Sequence, residues 1–284
     1  MLDETSPIEG ITFAVVDVET TGLSPARGDR ICEVGVVRGR GGSVLDSFTT
    51  LVNPQREISP GARRVNGITS NMVRRSPVFA DVAGEVATLL AGTVLVGHNI
   101  GFDLGFLRNE MTPAAGGAGA LPGLVVDTLQ LARNCYQFPS NSLEAVSAIL
   151  KLRNRDAHRA LADATTTWRV LIWFINDLRD RGRQIDSLAD LLAFQGRLDL
   201  APRPYLPTSA PPEAVPTLIS QAIADGLLLR LRYASPGSAP TERLVAPRRV
   251  ALERETLYLV AYCHLRQEER SFRFDRILKL EAGE

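Results

Sequence analysis

An α/β domain followed by a smaller, mostly β domain is the fold this sequence predicts, on three observations. Three β-branched runs separated by glycine-containing turns open the chain, and segments of helical period then alternate with short strand-like ones. Six prolines then crowd into residues 202 to 216 before β-rich sequence resumes. At 284 residues, 45% hydrophobic and 23% charged, the chain can bury one substantial core and a second smaller one, without disordered or fibrous bias.

In order, "ITFAVVDV" (11–18), "ICEVGVVR" (31–38) and "SVLDSFTTLV" (43–52) predict adjacent strands. A helix over about 78–90 precedes the short strand "TVLVGH" and a helix over about 101–111. The loop "PAAGGAGALPG" carries too much glycine for an element interior. It leads to the strand "GLVVDT" and helices near 141–150 and 159–179. The first domain is therefore drawn at 1–180, a helix and stiff proline-rich linker at 181–216, and the second domain at 217–284. That second part reads as the helix "PTLISQAIADG" followed by the strands "LLLRLRYA", "ERLVAPRRVALE", "TLYLVAYCH" and "RSFRFDRILKLE".

Acidic and basic residues balance at 32 each, so any surface for nucleic acid has to be local. Nearly all the cations are arginine, Lys151 and Lys279 being the lysines. Cys32, Cys135 and Cys263 are far apart and lack a C-x-x-C spacing, which argues against a disulfide framework or a zinc site and fits a reducing, cytoplasmic setting. The N-terminus lacks the order of a signal peptide, and no apolar run reaches the ~18 residues of a membrane span, so a soluble protein with no membrane partner is expected.

The stretch "VVDVETTGL" places Asp17 and Glu19 two residues apart on one strand, where alternation turns both to the same face. Like charges held together in a partly buried place repel, so a cation is expected there. Asp103 in "GHNIGFDLGFL" falls in the first turn of a helix after a strand, where sites assemble in open α/β sheets. Asp163 in "HRALADATTT" lies early in a helix, five residues after His158. Four acids from separate segments could build the oxygen-rich cage that Mg²⁺ or Mn²⁺ prefers, with open positions for water and phosphate oxygens.

"DVETTGL", "HNIGFD" and "HRALADA", in this order, resemble the three motifs of DEDD-type 3'-5' exonucleases, in the histidine (DEDDh) subclass that includes the proofreading epsilon subunit of bacterial DNA polymerase III. "LVNPQREISPGARRVNGITSNMV" resembles that group's segment between its first two motifs, and the likeness covers about residues 10 to 178. It implies an RNase H-like fold, a mixed five-stranded sheet with flanking helices, and two divalent ions, Mg²⁺ or Mn²⁺. Nucleoside 5'-monophosphates would be removed from the 3' end of nucleic acid, single-stranded DNA first. Asp17, Glu19 and Asp163 would hold one metal, Asp17 would bridge to the second, and Asp103 would complete the cage. His158 would accept the proton of the attacking water. Thr20, Thr21, Gly22, Leu23, His98, Asn99 and Phe102 would position the terminal nucleotide, Leu23 and Phe102 by packing against bases.

The C-terminal segment resembles a WYL domain, a small Sm/SH3-like β-barrel of bacterial regulators, through Tyr233, Arg243, Pro247, "LYLV" and "RSFRFDRI". Leu257 stands where that motif has tryptophan. The resemblance implies a nucleic-acid or nucleotide-like ligand. Arg243, Arg270, Arg273 and Arg276 would frame a phosphate-binding patch, with Tyr233 and Tyr258 completing it. In "RSFRFDRI", Phe272 and Phe274 are expected on one strand face and Arg273 and Asp275 on the other.

The sequence thus points to a metal-dependent 3'-5' exonuclease with an accessory nucleic-acid- or ligand-binding domain, in a stand-alone repair or processing role. An exoribonuclease, or a regulatory nucleic-acid-binding protein, is the competing reading, and a polymerase partner is conceivable from the proofreading relatives.

Overall fold

The structure, a computed structural model, describes residues 2–112, 121–152, 158–196, 198, 216–234, 240–253, 256–266 and 268–283. Most of the glycine-rich loop and all but the last of the linker prolines lie outside the described residues. The chain forms two compact units, Met1–Arg203 and Pro204–Glu284.

The first unit is built on β1 (Phe13–Thr20), β2 (Ile31–Arg40), β3 (Ser43–Leu51), β4 (Val94–Gly97) and β5 (Val125–Asp127). Their order is β3-β2-β1-β4-β5. The first three pair antiparallel, while β4 and β5 run parallel to β1. This is the mixed five-stranded sheet of the RNase H-like arrangement. β1 lies at its centre, so its alternate residues enter two different cores. Phe13 and Val15 pack with Trp168, Leu171 and Phe174 of α7 (Ala160–Asp180), whereas Ala14, Val16 and Val18 pack with Phe79, Val82 and Val86 of α3 (Phe79–Leu90) and Leu104 and Leu107 of α4 (Gly101–Glu110).

The glycines of β2 let α7 come close. A Cβ at Gly35 would meet the Ala160 carbonyl carbon at 2.4 Å, and one at Gly39 would meet the Trp168 ring at 2.4 Å. The start of β2 is also tied by two ion pairs whose carboxylates are buried. Arg30 grips Glu110 at the end of α4 at 2.6 and 2.7 Å, and Arg159 grips Glu33 at the head of α7.

The helices α1 (Pro60–Asn66), α2 (Ser70–Val73) and α5 (Thr128–Cys135) are additions to the elements expected from periodicity. They are short, and two of them carry local caps: Ser59 Oγ accepts from Ala62 N and Gly67 closes α1 at φ +68°, while Asp127 accepts from Leu129 N at the start of α5. The helix α6 (Leu143–Ile149) matches its expected position. Expected as part of the connection, α8 (Leu188–Gln195) instead buries Leu188 and Leu191 in the core of the first unit. Its Gln195 side chain hydrogen-bonds the backbone of β5, accepting from Asp127 N and donating to Val125 O.

The second unit packs α9 (Thr217–Asp225) on an antiparallel sheet of β6 (Leu229–Tyr233), β7 (Thr241–Glu253), β8 (Thr256–Cys263), β9 (Glu268–Arg273) and β10 (Ile277–Ala282). The order is β10-β6-β7-β8-β9, so among the described residues β9 and β10 stand at its two ends. Ile219, Leu229, Leu231, Val245, Leu259 and Phe272 form its core. No described helix is long and apolar enough to cross a membrane.

Candidate active site

The site begins with β1, whose pleat brings Asp17 and Glu19 out on the α7 side beyond Val15. In register, Asp17 lies opposite Gly35 and Glu19 opposite Glu33 on β2. Because Gly35 offers no side chain, the first turn of α7 sits directly on this face and delivers Asp163. One carboxylate oxygen from each of Asp17, Glu19 and Asp163 lies within 4.8 Å of the others, all three residues being half-buried. Such a set of hard oxygen donors suits a divalent cation.

Asp103 reaches the cluster from the other layer. It is buried in the first turn of α4, and its Oδ1 accepts from Val18 N at 3.0 Å, between the two β1 acids. The electrostatics match the crowding. Burial first, and then the charges of Asp103, Glu19 and Asp163, raise Asp17 well above the ordinary carboxylate range. Burial and the charges of Asp163 and Glu33 push Glu19 up to about 8, and burial pushes Asp103 up to about 7. Asp163 is raised as well, again chiefly by burial. Each carboxylate therefore resists ionisation until positive charge arrives.

His158 stands exposed just ahead of α7, with φ +66°. Its backbone N–H donates to Asp163 Oδ2 at 3.1 Å. The five sequence-expected reactive residues thus fall at one end of the central strand.

The other expected contacts divide. Leu23 is 66% exposed. Phe102 is half-buried against Phe106, with ring centroids 5.0 Å apart. The Thr20 and Thr21 hydroxyls are engaged within the protein, by Gly22 O at 2.6 Å and Asp29 Oδ1 at 3.2 Å. Gly22 is packed on Asp29, whose carboxylate oxygen would lie 2.4 Å from any Cβ there. His98 uses both ring nitrogens, with Thr128 Oγ1 at 2.9 Å and the Asn141 carbonyl at 2.8 Å. Burial holds it down at about 4, so it is neutral and donates from Nε2 to Asn141 O. Asn99 takes the left-handed turn at φ +71° while its N–H donates to Asp127 Oδ1. These two residues shape the segment that carries Asp103.

In the second unit, Tyr233 is 9% exposed, stacks edge-on against Phe272, and accepts from Arg273 N through its hydroxyl. Arg273 is paired with Asp275 at 2.6 Å. The expected alternation stops at Arg273, because Phe274–Arg276 turn into a 3-10 helix and leave the strand. Arg270 and Arg273 lie on β9, Arg273 opposite Tyr258, whereas Arg243 lies on β7 with β8 between. Arg276 is on the turn. The arginines are spread across the sheet and its end, and the Arg243 Nη1 is buried without a hydrogen-bond partner among the described residues.

Two residues with a hand in the site were absent from the sequence expectations. Glu33, 2% exposed, accepts from Arg159 and from Ala160 N at the head of α7. Asn66 donates to Thr20 O at 3.4 Å and also bonds Glu19. A charged residue inside the apolar run "ICEVGVV" is the signal that could have found the first; the second carries none.

Residues 14–171 match the sequence profile of the family described as Exonuclease, and residues 214–282 that of the WYL domain. A DNA polymerase III PolC-type from Thermotoga petrophila is 35% identical over 193 residues, covering 66% of this chain and 14% of that protein. The 3'-5' exonuclease DinG of Bacillus subtilis is 37% identical over 169 residues, covering 59% of this chain and 18% of that one. The chain thus spans under a fifth of the length of either relative. A solved structure of Exonuclease X in complex with 5' overhanging duplex DNA aligns with TM-score 0.50 at 27% identity, over 65% of this chain and 99% of that one. With more than half its length matched and the acidic residues gathered at one strand end, this chain belongs to the Exonuclease family and carries a WYL domain after it.

Proposed function

We propose that this protein is a divalent-metal-dependent 3'-5' exonuclease that releases nucleoside 5'-monophosphates from single-stranded DNA ends. The convergence of Asp17, Glu19 and Asp163 within 4.8 Å, in a setting that raises their proton affinity, carries the reading. Exonuclease family membership and a relative bearing the name 3'-5' exonuclease support it.

Asp17, Glu19 and Asp163 would hold Mg²⁺ or Mn²⁺, and Asp103 would serve a second ion. When bound, the ions supply positive charge to the scissile phosphate and acidify the attacking water. His158 would accept that water's proton on an imidazole nitrogen. The new bond joins the water oxygen to phosphorus as the bond to the 3' oxygen breaks. Leu23, exposed at the end of the first motif, lies against the terminal base. The second unit would hold the strand or a ligand through its arginines.

The deciding experiment is a time course on 5'-labelled single-stranded DNA with Mg²⁺, with Mn²⁺ and with EDTA, beside Asp17→Ala. A ladder shortening from the 3' end, dependent on metal and absent in the variant, is the expected result. Monophosphate release from RNA alone would redirect the substrate, and binding without release from either would refute the enzyme.

A further inference from the structure

We propose that Glu33 and Arg159 form a positioning pair for His158, so that turnover depends on a carboxylate that binds neither metal nor substrate. The inference rests on the reading of His158 as the proton acceptor.

The geometry is specific. Glu33 points from β2 toward α7, opposite Glu19 in the ladder. Its Oε1 accepts from Arg159 Nη2 at 2.6 Å and Nε at 3.0 Å, and its Oε2 accepts from Ala160 N at 3.1 Å. The first of these is a forked, charge-assisted contact, and the second fills an orphan donor at a helix start. His158 is joined directly to this anchored pair. On its other flank, residues 153–157 lie outside the described residues. Its N–H is held by Asp163 and its φ of +66° is one that non-glycine residues keep only when their surroundings hold it. Three consecutive residues, 158 to 160, are therefore fixed by two carboxylates, Asp163 and Glu33.

The charge arrangement points the same way. A buried carboxylate facing Glu19 across the ladder would be repelled by the acidic cluster. Arg159 supplies the compensating charge, and with both Glu33 oxygens engaged by Arg159 and Ala160, Glu33 is kept out of the metal cage. Helix capping alone would need only the Ala160 contact. The arginine fork adds an orientation for the residue next to the base.

The test is a double-mutant cycle on 5'-labelled single-stranded DNA at saturating Mg²⁺. Glu33→Gln, Arg159→Ala and Arg159→Lys are measured alone and on His158→Ala, with KM and kcat separated. Arg159→Ala and Glu33→Gln are expected to lower kcat ~10- to 100-fold, part of the contribution of a positioned general base, while KM stays within ~3-fold. On the His158→Ala background the further loss should be under ~2-fold, because the pair would have nothing left to position. Arg159→Lys should recover part of the loss, since lysine restores the charge without the fork. The Arg159 side chain is 48% exposed, so its variants carry the test even if the Glu33 variant fails to fold. An undiminished loss on the His158→Ala background, or a loss confined to KM, overturns the pairing while leaving His158 as the base. Wild-type turnover by His158→Ala overturns both readings.

Discussion

Gly35 lies directly beneath Ala160: any Cβ on Gly35 would stand 2.4 Å from the Ala160 carbonyl carbon and the Leu161 nitrogen. Since Gly35 is also the ladder partner of Asp17, the bare glycine is what lets the helix bearing Asp163 settle beside the strand bearing Asp17.

Gly35→Ala should therefore damage both stability and chemistry. Backbone, not a flexible side chain, meets the added methyl, and overpacking of this kind costs ~1–3 kcal/mol. Urea denaturation should report the loss, and kcat should fall with it as Asp163 is displaced from Asp17. Gly84→Ala is the contrast. That residue is inside α3 with nothing within 4 Å of its Cβ position, so the variant should be stabilised by ~0.5–1 kcal/mol with unchanged kcat.

Replacing a clustered carboxylate should separate function from folding. Asp17→Asn is expected to abolish metal-dependent hydrolysis while unfolding at an equal or higher temperature than the wild type in EDTA. The reason is that burial and neighbouring acids already oppose its charge. Thermal melts with and without Mg²⁺ check this. The wild type should gain stability from the ion and Asp17→Asn should gain little.

In EDTA, stability should fall as pH rises through the range set by Glu19. Its folded pKa is about 8 against 4.5 for the free side chain, so between those values the folded state binds more protons than the unfolded one. Stability is then fully present below about pH 4.5 and declines toward pH 8 as far as this group is concerned. Glu19→Gln should flatten that slope in denaturant titrations at several pH values. An identical slope in the variant would remove Glu19 as its source.

Ending the chain after Arg203 should leave the chemistry intact, because every residue of the acidic cluster, and both cores that position it, lie in the first unit. Hydrolysis of a short oligonucleotide should proceed at near wild-type kcat. KM or processivity on longer strands should worsen if the second unit holds the strand, and equality in both would assign that unit another task.

The four acids proposed for the site were legible in the sequence because each sits beside a structural cue: Asp17 and Glu19 on a strand of period two, Asp103 and Asp163 in first helical turns. The sheet was legible for the same reason, β-branched runs being set off by glycines. What escaped were roles set by how the loops close and by partners on other elements. The Thr20 and Thr21 hydroxyls look free in "ETTGL", yet Gly22 O and Asp29 occupy them. Glu33 meets Arg159 across 126 positions of sequence, which no local pattern encodes. The helices α1 and α2 were missed because they lack an apolar stripe: α1 buries only Asn66 and α2 only Val73.

Where Gln195 grips Val125 O and Asp127 N, a side-chain amide stands in for the strand that would otherwise extend the sheet past β5. The family match ends at residue 171, some way before that closure. A piece cut at the match, or just after α7, would present a raw β-strand margin open to self-association, while one cut after Gly196 carries its own seal. The β5 side of the sheet is thus closed within the first unit, before the residues that match the WYL domain begin.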